Sequence, residues 1–173
     1  LTGASLEVGG RFVLPSGSVE LTATTGDLRV AASAVIDVAG LDLAFADRAV
    51  GSPGGQVTLV SAGDLAIATG ASIDASGAAA GGDAGGIALH ARGGTVDIAA
   101  GARLAATAAS GTRGGRFDLD AGALGSDLDA LGATLDAGGF RDELSLRLHS
   151  GNIDLGAGTR LRARRITLRS EER

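Results

Sequence analysis

Gly-Gly-Gln-Val-Thr-Leu-Val-Ser-Ala-Gly-Asp-Leu-Ala-Ile-Ala-Thr-Gly-Ala-Ser-Ile-Asp-Ala-Ser-Gly, residues 54–77, divides into three short runs and two turns. The runs are Val57–Ser61, Leu65–Ala68 and Ser72–Ser76; the turns are Ala62-Gly63-Asp64 and Thr69-Gly70-Ala71. Runs of this length that alternate large apolar with small or polar residues, between Gly/Asp punctuation, read as half-buried strands. The stretch then recurs. Val57-Thr58-Leu59 is echoed by Ile87-Ala88-Leu89, Phe117-Asp118-Leu119, Leu144-Ser145-Leu146 and Ile166-Thr167-Leu168. The first three of these words follow Gly54-Gly55, Gly85-Gly86 and Gly114-Gly115. Self-similarity at about 20–40 residues is the mark of a stacked repeat.

The other columns repeat as well. Gly26-Asp27, Gly63-Asp64, Gly94-Thr95, Ser126-Asp127 and Gly151-Asn152 precede the second strand; Gly70-Ala71, Gly101-Ala102, Gly132-Ala133 and Gly158-Thr159 precede the third. Inside the third strand a large residue precedes a small one: Ile36 and Val38, Ile73 and Ala75, Leu104 and Ala106, Leu135 and Ala137, Leu161 and Ala163. The anchors Val57, Ile87, Phe117, Leu144 and Ile166 are spaced 30, 30, 27 and 22 residues apart. The shortening falls after the third strand, where the loop Gly77–Gly86 dwindles to almost nothing between Ala163 and Ile166. One corner therefore takes the length variation, as in solenoids. The predicted fold is all-β: a parallel β-helix of about five to six coils, each of three short strands, stacked at about 4.8 Å. No sustained helical period is read. Val19–Ala23, Leu28–Ala31 and Ala34–Val38 make an earlier coil, Leu6–Leu14 ends the one before it, and Leu41–Ala46 is a strand without a place in the order.

Composition agrees with thin, regular layers. The 173 residues include 30 Gly and 2 Pro; hydrophobic residues make up 45%, but the aromatics are four Phe and no Trp or Tyr. There is no Cys, which removes disulfides, zinc thiolates and thiol nucleophiles together. The formal net charge of −5 argues against nucleic acid as a partner. It is unevenly spread, with 8 Arg against 5 acids in residues 141–173, a run read as a solvated face or a contact with further chain. No stretch of about 18 apolar residues offers a membrane-spanning helix. No basic start followed by an apolar run marks a signal peptide. Both ends break off in mid-pattern, so residues 1–173 are expected to be one β-helical segment of a longer fibre.

Residues 54–77 and their echo at 85–111 resemble the repeat region of filamentous haemagglutinin-like exoproteins, exported by two-partner secretion in Gram-negative bacteria. The resemblance covers nearly the whole chain. It implies a right-handed parallel β-helical fibre and a place outside the cell or on its surface. It also implies an outer-membrane two-partner secretion transporter as partner during export, and an adhesin, haemolysin or toxin carrier as the role. The Asn-rich motifs of the family's secretion domain are absent, since Asn152 is the one Asn.

The search for chemistry returns little. Asp37, Asp74 and Asp136 are assigned one outward position of the third strand, with Ala105 and Arg162 in the other coils. They read as an exposed polar column and not a calcium site, which wants six to eight converging oxygens. His90 falls in the outward column of Thr22, Val60 and Asp120; His149 closes a later strand. With no Ser or Cys pattern around them, both read as surface residues. Gly81–Gly86 precedes a strand, whereas a phosphate loop precedes a helix. No catalytic, metal or cofactor residue is assigned and no enzyme is expected; binding residues stay unassigned. The expected function is a structural segment of a cell-surface adhesin fibre that meets a host-cell or carbohydrate receptor. The alternative is a stalk that carries a toxin or effector domain, and more remotely a carbohydrate-processing β-helix, which would need two carboxylates across a groove.

Overall fold

The computed structural model describes residues 1–150 and 152–171. The chain lays down β1 (Thr2–Gly3), β2 (Leu6–Val8) and β3 (Arg11–Val13), then β4 (Ser18–Ala23), β5 (Leu28–Val30) and β6 (Val35–Asp37). After β7 (Asp42–Phe45) and β8 (Arg48–Gly51) come β9 (Gln56–Ser61), β10 (Leu65–Ile67) and β11 (Ser72–Asp74). The order continues with β12 (Gly86–Ile98), β13 (Arg103–Ala105), β14 (Arg116–Leu124), α1 (Leu128–Ala137), β15 (Glu143–Leu148) and β16 (Arg165–Ser170). The structure is mostly β, dominated by a ten-stranded parallel sheet that is nearly closed, with a second sheet formed by β3, β6, β11 and β13. It is consistent with a parallel β-helix-like solenoid. The long β12 joins the faces, pairing through Gly86–His90 with β9 and through Val96–Ile98 with β10.

Register explains why the sequence repeats. Val57, Ile87, Phe117, Leu144 and Ile166 are successive cross-strand partners, and Leu59, Leu89, Leu119, Leu146 and Leu168 form the column beside them. Leu28, Leu65 and Val96 stack on the second face, and Phe12, Ile36, Ile73 and Leu104 on the third. Like sits on like because a strand's side chains alternate faces and parallel in-register pairing keeps each at one height. All but the outermost members are buried; Ile166, on the last strand, is 40% exposed. Phe117 is buried in this column and meets Phe140 edge-on, with ring centroids 5.6 Å apart at 74°.

The Gly-Gly words mark the tightest corner. A Cβ on Gly85 would lie 1.8 Å from the Gly55 carbonyl oxygen, so no side chain fits where successive coils cross. The Gly-Asp words have a different use from the local turn bond that Asx residues often make. Asp27 Oδ1 accepts from the Asp64 amide at 2.9 Å, and Asp64 Oδ1 from the Thr95 amide at 2.7 Å, so each carboxylate ties its turn to the next coil.

Three expectations need correction. Residues 128–137 form a helix and not a third strand with Leu135 and Ala137 inward. Leu128, Leu131 and Leu135 lie three and four apart and are buried, the stripe of a core-facing helix. Asp127 caps it, accepting from the Asp129 amide at 3.2 Å. Ten residues are too few for a helix to stand alone, so the stripe's packing holds it.

In the following coil, 152–163 carry no strand, although Leu161 and Ala163 pack partly buried against the core. Finally, the unplaced Leu41–Ala46 belongs to an antiparallel hairpin, β7 with β8, where only parallel coils were expected. It is an excursion at the corner that takes the length variation, anchored there by the Ala80 amide on Asp42 Oδ1 at 2.8 Å. The loops Gly77–Gly86 and Ala108–Gly114 share that corner, as expected. They are stacked and bonded, with the Arg113 amide on Asp83 Oδ1 at 2.9 Å and the Ala84 amide on the Arg113 carbonyl at 2.9 Å.

Candidate functional site

The aspartate row is real for two of its three members. Asp37 and Asp74 are direct cross-strand partners, and Ala105 follows in the column as expected. Both carboxylates are engaged at home: Asp37 Oδ1 accepts from the Ala39 amide at 3.1 Å and Asp74 Oδ1 from the Ser76 amide at 2.9 Å. Asp136 is not in the row. It lies on α1, where Arg141 Nη1 donates to its Oδ1 at 2.5 Å. Among the described residues, no three His, Asp or Glu side chains gather as a metal site would require. Gly81–Gly86 runs directly into β12 and stacks on the neighbouring corner loop through Gly82 and Asp83.

The polar chemistry concentrates elsewhere, on the outer face of the main sheet around β14. His90 does stand in register with Val60 and Asp120. Its ring, however, reaches diagonally to the next outward residue of β14, with Nε2 2.8 Å from Asp118 Oδ2. Asp120 is only 8% exposed. Its Oδ2 accepts from Arg92 Nε at 2.7 Å, and its Oδ1 lies 2.5 Å from His149 Nε2. His149 Nδ1 in turn lies 3.1 Å from Glu171 Oε2. Arg147 donates from Nε to Glu171 Oε1 at 3.1 Å and from Nη2 to the same oxygen. A chain of hydrogen-bonded polar and charged side chains therefore crosses from the bend of β12 over β14 and β15 to the residue beyond β16.

The network sets the ionisation of its own carboxyls. The hydrogen bond from His90 outweighs partial burial and holds Asp118 below the usual carboxylate range. Burial works to raise Asp120, but the hydrogen bonds from His149 and Arg92 prevail and lower it. Glu171 is lowered first by Arg147. All three are thus kept as anions, the form in which a carboxylate accepts and does not donate.

A His held by a carboxylate is also the base of an acyl-transfer triad, which needs a hydroxyl or thiol on the other ring nitrogen. Here that nitrogen faces a second carboxylate, and the adjacent Ser150 hydroxyl donates to the Gly122 carbonyl at 2.8 Å. The arrangement fastens strands together. Reading each histidine as a surface residue gave it no carboxylate partner, and so missed the network. The signal was present in the pair Asp118 and Asp120, two outward acids flanked by His90 in one coil and by Arg147 and His149 in the next.

A second departure from the repeat is the hairpin. Leu43 pairs with Val50 and Phe45 with Arg48, so Leu43, Phe45 and Val50 share one side of the ribbon. These three and Leu41, just before β7, are exposed, Leu43 at 48% and Phe45 at 54%, a cluster of the kind that marks contact surfaces. No helix among the described residues is long and apolar enough to cross a membrane. No family model, characterised protein or solved structure matches the chain.

Proposed function

We propose that this chain is a structural segment of a secreted, cell-surface adhesin fibre of a Gram-negative bacterium, wound as a right-handed parallel β-helix of about five to six coils. The observation that carries the reading is the register: side chains of one kind meet across successive parallel strands from Val19 to Ile166. A unit that repeats its own interior extends by addition of further coils, and length is what a surface fibre requires. The resemblance of residues 54–77 and 85–111 to filamentous haemagglutinin-like repeats supports the same reading. On it, an outer-membrane two-partner secretion transporter handles the chain during export, and a host-cell or carbohydrate receptor is the external partner.

Antibody raised against this chain should label intact producing cells, and cells whose gene lacks the segment should adhere less to host tissue. Label seen only after lysis would remove the surface reading. Deleted cells that adhere normally but no longer poison their neighbours would make the segment a delivery stalk.

A further inference from the structure

The charged seam ends in a contact that spans three layers of the sheet. His149 follows β15, and carboxylates from the layers on either side face its two ring nitrogens, at 2.5 Å from Asp120 of β14 and 3.1 Å from Glu171 beyond β16. A neutral imidazole has one N–H and one lone pair, so it donates to one carboxylate and turns a lone pair toward the other; only the doubly protonated ring donates to both. We propose that His149 is a pH-sensitive clasp, which fastens β16 to β14 and β15 when its ring carries both protons and loosens that strand when the ring becomes neutral. The inference stands apart from the fibre reading and concerns the fold alone.

The other charges around the ring are fixed ones. Arg92, from the bend of β12, donates to the far oxygen of Asp120; Arg147, on the ring's own strand, donates to the far oxygen of Glu171. Arg169 of β16 stands in register with Arg147. His90 is engaged with Asp118 and does not enter the contact. Asp120 and Glu171 are both held below the usual carboxylate range, so they stay ionised across about pH 5–8, where imidazole titrates. β16 is also an edge strand among the described residues, pairing with β15, and its Ile166 is 40% exposed.

Amide hydrogen exchange tests this, with rates corrected for the intrinsic effect of pH and with β9, in the middle of the sheet, as internal reference. Between pH 5.5 and 8.5, protection of Arg165–Ser170 should fall about tenfold, as expected for loss of a charge-assisted bond, while Gln56–Ser61 keeps its protection. His149→Gln should abolish the pH dependence and hold β16 at the alkaline level; His90→Gln should leave it intact. Nitrogen NMR of the labelled His149 ring gives a second readout in the unaltered chain, since it tells the doubly protonated ring from the neutral one. Protection of β16 that does not change with pH, a pH dependence that survives in His149→Gln, or a ring still neutral at pH 5.5 would overturn the clasp.

Discussion

Asp120 shows how much one outward residue can carry. It is nearly enclosed, and Arg92 and His149 satisfy one oxygen each. Asp120→Asn removes the charge and leaves one acceptor where there were two. It should cost about 2 kcal/mol at neutral pH, between the worth of a neutral and a charged hydrogen bond, because exposed Arg92 is screened by water. Asp118, Asp120 and Glu171 all lie below ordinary carboxyl values, so their contribution is complete above about pH 4 and is lost as pH falls through the lowered values. Thermal melts from pH 6 to pH 2 should therefore fall less steeply for Asp120→Asn than for the parent chain; parallel curves would deny Asp120 its part. Gly85 makes the matching case inward. Gly85→Ala drives a Cβ into the Gly55 carbonyl and should cost about 3 kcal/mol or more, as overpacking does. At Gly10 a Cβ meets nothing within 4 Å, so Gly10→Ala should stay within about 0.5 kcal/mol of the parent in urea unfolding.

Among the elements, α1 separates two readings of one stretch. In the strand reading Ala133 shares the inward side with Leu135 and Ala137; in the helix it is exposed while Leu128, Leu131 and Leu135 are buried. Ala133→Glu should then move the melting midpoint by no more than a surface substitution does, whereas Leu131→Ala should cost about 2–5 kcal/mol. A collapse on Ala133→Glu would restore the strand. Column alignment hid the helix because Gly132-Ala133 falls where Gly70-Ala71 and Gly101-Ala102 stand, and those do open third strands. The helical spacing of the three leucines was in the sequence but was outvoted by the repeat. The coils themselves were legible, since period-two alternation and in-register stacking impose the same constraint at every layer. The hairpin was half legible: alternate Leu43 and Phe45 announce a strand with one apolar side, yet nothing in alternation says that the side goes uncovered. The histidine network was legible only by columns. His90 was rightly set beside Asp120, but its side chain takes the diagonal to Asp118, a choice that strand pairing leaves open.

At the scale of the molecule, stacking makes one coil exchangeable for the next. Residues 56–85 run from the start of β9 to the residue before β12, one whole period. Their deletion joins Gly55 to Gly86 and places β12 on β4. Ile87 and Leu89 then meet Val19 and Leu21, which Val57 and Leu59 covered before, and Val96 and Ile98 meet Leu28 and Val30 in place of Leu65 and Ile67. Each interior column keeps its character because the lost layer was a copy of those beside it. The hairpin loses its anchors at Ala78 and Ala80 and should fray without cost to the core. The shortened chain should give a cooperative melt with a strand-type circular dichroism spectrum and a lower midpoint, since stability in a stack is approximately a sum over neighbours. Deleting 56–70 instead ends within a period, sets β11 against β4 and puts third-strand residues where first-strand residues belong. That protein should aggregate or remain unfolded. Equal melts for the two deletions would mean that the layers are not equivalent, and that the register of the columns does not hold the molecule together.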